Sequence, residues 1–401
     1  MTHSIFGNRR WRRVAIISGS AAALLLSSVA YPFQIAPLGS SFEAKFTNEP
    51  ESTLAKVAGK LGKLVKKPVH EEITQLAFYC PTDAQALADD DECAMRDAPF
   101  AGAFIIYGVR WNDLPPFQLR KNEGKRCKKF LTGAAACNTS QTIRFSTQPE
   151  CWYCIFTAAE NFTAKGGAIA GCPADKAGHR RVALGNLLTR SHYGDLQFLH
   201  SMAVGDGIQA HDSQQQVLAW IEFAWRVSVG DFKPTQRLAQ VNIPFVAGRF
   251  ACTEWTVADL YILGRQDKLL PNIKDVAFGS ILHTVQDSFS SSHTQRESVT
   301  ASGFCGGNEK YPKPSRIIEF HSYGSQDGYR HDADDERKAM VLHAVEKRTE
   351  AIAASRMLVD LYRDRKPWAE VKPYAECLFE LGDTATPSSP GDNYRKTVTS
   401  E

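Results

Sequence analysis

Net charge is nearly absent from this chain: 47 Lys and Arg against 44 Asp and Glu leave +3 over 401 residues. So small an excess gives no ground for nucleic acid or an anionic membrane as an electrostatic partner. No internal repeat is present, which removes any basis for a repeat architecture. Few segments alternate apolar and polar residues as half-buried strands do, so the architecture is expected to be mainly α. Beyond the N-terminal region, no stretch is long and apolar enough to span a bilayer. A second closely paired cysteine motif is also missing. Cys151-Trp-Tyr-Cys154 stands alone, which argues against a zinc finger or a redox pair and for bridged thiols.

What is there begins with a basic N-terminus. Arg9, Arg10, Arg12 and Arg13 precede an apolar run over residues 14–29. A basic segment followed by a short apolar one is the pattern of a secretory signal, with Ala30 at a suitable cleavage point and Tyr31 first in the mature chain. The rival reading is an uncleaved anchor, since about 17 apolar residues is the lower limit for spanning. The paired arginines also permit twin-arginine export. Ten cysteines behind such a signal imply up to five disulfides in an oxidising compartment, secreted or periplasmic.

The apolar content of 43% and charged content of 23% are those of an ordinary folded protein. Residues 54–67 carry apolar residues at helical spacing with lysines between them. They read as a helix packed on the body, or as a membrane-surface helix. Pro68 opens a helix that places Val69, Ile73, Leu76 and Ala77 on one stripe. Residues 84–98 are acidic, and Pro115-Pro116 ends any helix there. Residues 119–185 hold five of the ten cysteines and no long period, and read as a disulfide-stapled insertion. Helical patterns resume over 183–204, 213–228, 254–263, 273–290 and 333–362. Residues 386–401 are expected to be a disordered tail. The expected organisation is a signal peptide at 1–30 and one large helical domain at 31–385.

The chemistry concentrates in Ile281-Leu-His283-Thr-Val-Gln-Asp287-Ser-Phe-Ser-Ser-Ser-His293. His283 and Asp287 are an i,i+4 pair on one helix face, with Cβ atoms about 5–6 Å apart. Serines 290–292 loosen the helix and let His293 turn back toward the same point. Imidazoles and a carboxylate converging there are donors that zinc prefers. Other histidines lie near acids: His192 in Ser191-His192-Tyr193-Gly194-Asp195, His331 with Asp335, and His70 on its early helix. Asp113 follows Trp111. Each of these alone is more often a hydrogen-bonded structural residue than a ligand. Together they form a set.

That set resembles the zinc-dependent phospholipase C and single-strand nuclease superfamily. Its His-x3-Asp-x5-His signature is matched by His283, Asp287 and His293. Its Ser-His-aromatic-x-Asp segment is matched by Ser191 to Asp195, its early histidine by His70, its aspartate by Asp113 and its final His-x3-acid by His331 and Asp335. The matches run in the family's order over residues 70–335, and the length and insertion look like a bacterial phosphatidylcholine-hydrolysing subgroup. The resemblance implies a helical domain of the zinc phospholipase C type holding two or three zinc ions. The metal ligands it implies are His70, Asp113, His192, His283, Asp287, His293, His331 and Asp335, with Asp113 also orienting the attacking water. It further implies phosphodiester hydrolysis of a phospholipid at a membrane or micelle surface, with no protein partner evident.

Two features depart from the family. No Trp-Gly precedes His70 to supply the N-terminal metal ligand many members use, so either further processing occurs or one zinc has a different ligand. Phe320-His321-Ser322-Tyr323, with Asp327 beyond, competes with His331 and Asp335 for the last ligand position. His200, His211 and His343 are read as structural. The alternatives to a phospholipase are an exported zinc nuclease and a non-enzymatic, disulfide-rich surface protein. Trp111, Tyr193 and Phe289 lie near ligands in sequence and are candidates to face a choline cation.

Overall fold

The computed structural model describes residues 69–79, 102–120, 123–129, 132–138, 142–173 except 146, 181–263, 269–298, 302–307, 309, 313–334 and 347–396. The signal segment at 1–30, the helical pattern at 54–67, the acidic stretch 84–98, Cys80, Cys93, Asp335 and His343 lie outside the described residues.

The elements in chain order are α1 (Val69–Tyr79), α2 (Gly102–Trp111), β1 (Phe117–Gln118), β2 (Thr142–Ile143), α3 (Pro149–Ala164), β3 (Ala168–Ala170) and β4 (Val182–Leu184). They continue with α4 (Leu187–Tyr193), α5 (Ala210–Val229), α6 (Pro244–Arg249), α7 (Val257–Ile262), α8 (Ile273–Asp287), β5 (Thr294–Arg296), β6 (Ile317–Phe320), α9 (Gly328–Asp334), α10 (Lys347–Arg363) and α11 (Trp368–Leu378). The fold is mainly helical, as expected. The strands among the described residues form only two-stranded pairs: β1 with β2 and β5 with β6 antiparallel, β3 with β4 parallel.

Helix α8 is the axis. Every residue from Val276 to Asp287 is buried, because α2, α5, α10 and α1 surround it. A helix buried on all sides is polar only where polarity has a use, yet α8 carries Ser280, His283, Thr284, Gln286 and Asp287. Its closest neighbour is α2. A Cβ on Gly108 would lie 2.1 Å from the carbonyl oxygen of Val276, and one on Gly279 would lie 2.1 Å from that of Ile105. Two glycines facing each other thus let the backbones touch, which carries Asp113, just past the end of α2, to the level of His283.

Several expectations need correction. The pattern over 183–204 is not one helix. It is β4, then α4 capped by Asn186 accepting from the Thr189 amide, then a 3-10 turn at Gln197–His200. α4 ends where Gly194 turns extended, and only glycine fits there, since a Cβ would sit 2.7 Å from the Ile169 carbonyl oxygen. The stretch 119–185 is stapled as expected, by Cys127–Cys154 and Cys137–Cys151, but it also holds the 16-residue α3. Cys172–Cys252 ties it to the helical body, and Cys305–Cys377 is a fourth bridge. Cys151 and Cys154 are therefore each bridged, to partners other than one another.

The tail expected to be disordered from 386 is ordered to Lys396. Backbone hydrogen bonds from Thr386 N to Ile318 O, Ser388 N to Ile208 O and Asp327 N to Tyr394 O fasten it. Residues 397–401 lie outside the described residues. No helix of the described residues is long and apolar enough to cross a membrane.

Candidate metal centre

Six elements deliver seven side chains to one buried region. His70 comes from the first turn of α1, Asp113 from the turn after α2, His192 from α4, and His283 and Asp287 from the last turns of α8. His293 comes from the turn before β5, and His331 from α9. His70, Asp113, His283, Asp287, His293 and His331 are fully buried, and His192 nearly so. The helix ends at Asp287 and the serine run folds back: His293 N donates to Ser290 O, and the Ser290 and Ser292 hydroxyls pair at 2.8 Å. Arg296 fixes this turn, donating from Nε to Ser288 O at 2.7 Å and from Nη1 to Ser315 O at 2.6 Å.

Two groups have donor atoms close enough to share a cation: His70 with His283 and Asp287, and Asp113 with His192 and His200. Asp287 Oδ2 is 2.9 Å from His283 Nε2, and Oδ1 is 3.2 Å from His70 Nε2. Asp113 Oδ1 stands 3.7 Å from His283 Nε2 and 3.6 Å from His200 Nδ1, so the two groups adjoin.

His200, read from the sequence as structural, is therefore central. Its Nδ1 lies 3.0 Å from Asp287 Oδ2 and 3.1 Å from His283 Nε2. It has no acid at short spacing in sequence, so nothing local marked it. A polar network holds it instead: Asn112 Nδ2 and Thr284 Oγ1 both donate to Leu199 O at 2.8 Å. Ser201 follows in a left-handed conformation at φ 51, fixed by its hydroxyl donating to Thr284 O at 2.6 Å.

His321 and His331, competing in sequence for the last ligand position, are both brought in. Both lie beside His293. The His293 and His331 rings are 4.9 Å apart, and His321 N donates to His293 O across the β5–β6 pair. The Asp327 carboxylate accepts from the Arg330 amide at the start of α9. Asp195, the acid of the Ser-His-aromatic-x-Asp segment, pairs with Arg190 at 2.8 Å. His211 is exposed on α5. Trp111 packs between Trp220 and Tyr261, and Phe289 lies under the Arg296 guanidinium, so both are packing residues. Tyr323 does reach the centre, its ring 4.9 Å from that of His331, and Tyr193 packs against it at 5.1 Å.

The protonation pattern is fixed by acceptors. His283 Nδ1 donates to Val109 O at 2.6 Å, His293 Nδ1 to His200 O at 2.6 Å, His192 Nδ1 to Leu188 O at 3.0 Å and His321 Nδ1 to Ser292 O at 3.2 Å. A carbonyl oxygen can only accept, so each Nδ1 carries a proton, and a ring that is neutral turns its Nε2 lone pair away from that carbonyl. His70 Nδ1 donates to Gln286 Oε1 at 2.7 Å, and His331 Nδ1 to Gln326 Oε1 at 2.6 Å. Gln326 cannot be reversed, because its Nε2 donates to the Ser292 and Pro390 carbonyls. Metal-binding imidazoles are held in this way, with the second nitrogen on a carbonyl or amide oxygen.

Charge follows the same logic. Burial, with a smaller push from His200, holds His192 well below its ordinary value; burial also lowers His200. It lowers His283 to about 3 and His321 to about 4. For Asp287 burial acts upward, but His283, His293, His70 and the His200 hydrogen bond outweigh it, and the carboxyl sits well below the usual range. Neutral imidazoles beside an ionised carboxylate are the state a divalent cation requires. The Nε2 atoms of His192, His200 and His321 are buried without a hydrogen-bond donor. A buried lone pair left so costs about 1–3 kcal/mol, and a cation answers it. These buried His/Asp groups could hold metal ions.

No family model matches this chain, and neither does any curated protein or solved structure.

Proposed function

We propose that the chain is an exported zinc-dependent phosphodiester hydrolase that cleaves phosphatidylcholine to diacylglycerol and phosphocholine. One observation carries this reading: four imidazoles are held by backbone carbonyls through Nδ1 around two adjoining, buried His/Asp groups. Nitrogen and carboxylate donors without thiolates suit zinc. His70, His283 and Asp287 would hold one ion, and Asp113, His192 and His200 a second. His293, His321 and His331 offer donors for a further one. When bound, such ions polarise a phosphoryl oxygen and bring the pKa of a water toward neutrality.

The chain's own residues do the rest. Asp113 Oδ1, within 3.7 Å of imidazoles of both groups, is placed to orient the attacking water and take up its proton. Asp287 presents one oxygen toward His70 and the other toward His283 and His200, so a single carboxylate links the sets. The Tyr323 ring lies beside both His192 and His331, with Tyr193 against it, and aromatic rings there would favour a quaternary ammonium head group. The four disulfides suit an oxidising compartment.

The test is metal content of the dialysed protein together with phosphocholine release from phosphatidylcholine, before and after chelation. Stoichiometric zinc is expected, with release abolished by chelator and restored by zinc. Asp287→Ala and His200→Ala should each lower zinc content while far-UV circular dichroism stays close to the parent's. Protein that retains no divalent metal, or hydrolysis indifferent to chelation, would sink the reading.

A further inference from the structure

The disulfide-stapled region holds a cavity that the metal centre does not use. It encloses about 450 Å³, within the range of about 300–1,000 Å³ usual for small-ligand sites. Its walls are apolar: Ile155, Ala159 and Phe162 from α3, Ile169 from β3 and Leu184 from β4, closed at one side by Cys127 and Cys154, which bridge to one another. The Phe162 ring can lie across the wall only because residue 167 is glycine, since a Cβ there would come within 2.4 Å of it. Leu184, which lines the cavity, and its strand neighbour Val182 are each 43% exposed, which is apolar surface left open among the described residues.

The mouth is cationic. Lys125 and Arg126 line it and are exposed, and the Arg181 guanidinium sits 5.8 Å from the Phe162 ring. The one acid in the lining is Glu123. Its Oε1 accepts from Asn186 Nδ2 at 2.7 Å and its Oε2 from the Arg120 amide at 2.9 Å. Both carboxylate oxygens are thus engaged by donors other than Lys125 and Arg126. An apolar slot with a basic entrance complements one kind of small molecule, a long apolar tail ending in a negative head.

We propose that this cavity binds a free single-chain anionic amphiphile of the fatty-acid class, its tail between α3 and the β3–β4 pair and its carboxylate at Lys125 and Arg126. The site stands apart from the metal centre and does not depend on the hydrolase reading. It is tested by titrating laurate, below its micelle concentration, into the intact protein by calorimetry, with dodecyltrimethylammonium as the tail-matched cation. Saturable binding of one laurate per chain is expected, with no saturable binding of the cation.

Ala158→Trp places a bulky ring in the cavity from an exposed position on α3, and Lys125→Glu/Arg126→Glu reverses the mouth. Each should weaken laurate at least tenfold with the near-UV circular dichroism of the parent retained. Absence of saturable laurate binding, equal binding of both amphiphiles, or unchanged affinity in either variant overturns the proposal. As the double variant alters only exposed side chains, it remains informative should Ala158→Trp disturb folding.

Discussion

His283 and His321 show what burial does to a single imidazole. Their ordinary value is 6.5, and in the folded chain they fall to about 3 and about 4. The unfolded chain therefore takes up protons as pH drops below 6.5, while the folded chain does not until the lower values are reached. Stability rises with pH wherever the unfolded state binds more protons, so it is lost on acidification through this window. In chelator-treated protein the urea midpoint should fall steadily from pH 6.5 toward pH 4; a flat profile would mean that the imidazoles are not held neutral by the fold. How much of the centre the sequence revealed also turns on single residues. His283, Asp287 and His293 were legible because one helix and one turn bring them together. His192 and His70 were legible only by resemblance. His200 was not legible at all, because its role depends on Asn112 and Thr284 gripping the carbonyl of Leu199, residues distant in the chain.

Helices place these residues, and the tightest element contact is between α2 and α8. Gly279 and Gly108 look in sequence like helix weaknesses, each less favourable than Ala by about 1 kcal/mol. Their use appears only when the backbones meet. Gly279→Ala would drive a methyl into the Ile105 carbonyl. It is expected to destabilise by about 3 kcal/mol or more, read as a drop in urea midpoint at unchanged slope. Gly248 on α6 is the contrast, since nothing lies within 4 Å of its built Cβ, and Gly248→Ala should be neutral or stabilising by about 0.4–1 kcal/mol. Helical periodicity announced α1, α5 and α8 well. It failed over 183–204, where apolar spacing continues through β4, α4 and a 3-10 turn while Gly194 and Ser201 redirect the backbone.

Across the whole molecule, the cysteine count foretold covalent stapling, but connectivity needed the fold. Cys172–Cys252 spans 80 residues and links the stapled region to the helical body, whereas Cys137–Cys151 spans 14. Loop-closure entropy assigns a long bridge of this kind about 4–5 kcal/mol and a loop near 15 residues about 3 kcal/mol. Cys172→Ala/Cys252→Ala should therefore lower stability by about 4 kcal/mol in denaturant titrations. Loss of well under 1 kcal/mol would mean that the two parts hold together by packing alone.

The ordered stretch from Thr386 to Tyr394 also sets a schedule. Gly391 backs directly onto the His321 ring, where a Cβ would come within 2.6 Å, and Pro390 supplies the carbonyl that orients Gln326 behind His331. A nascent chain lacks that last wall until residue 394 has left the ribosome and, for an exported protein, the translocation channel. His321 and His331 are then fully walled in only once residues 390 and 391 have docked, after nearly all the rest of the described chain has been made.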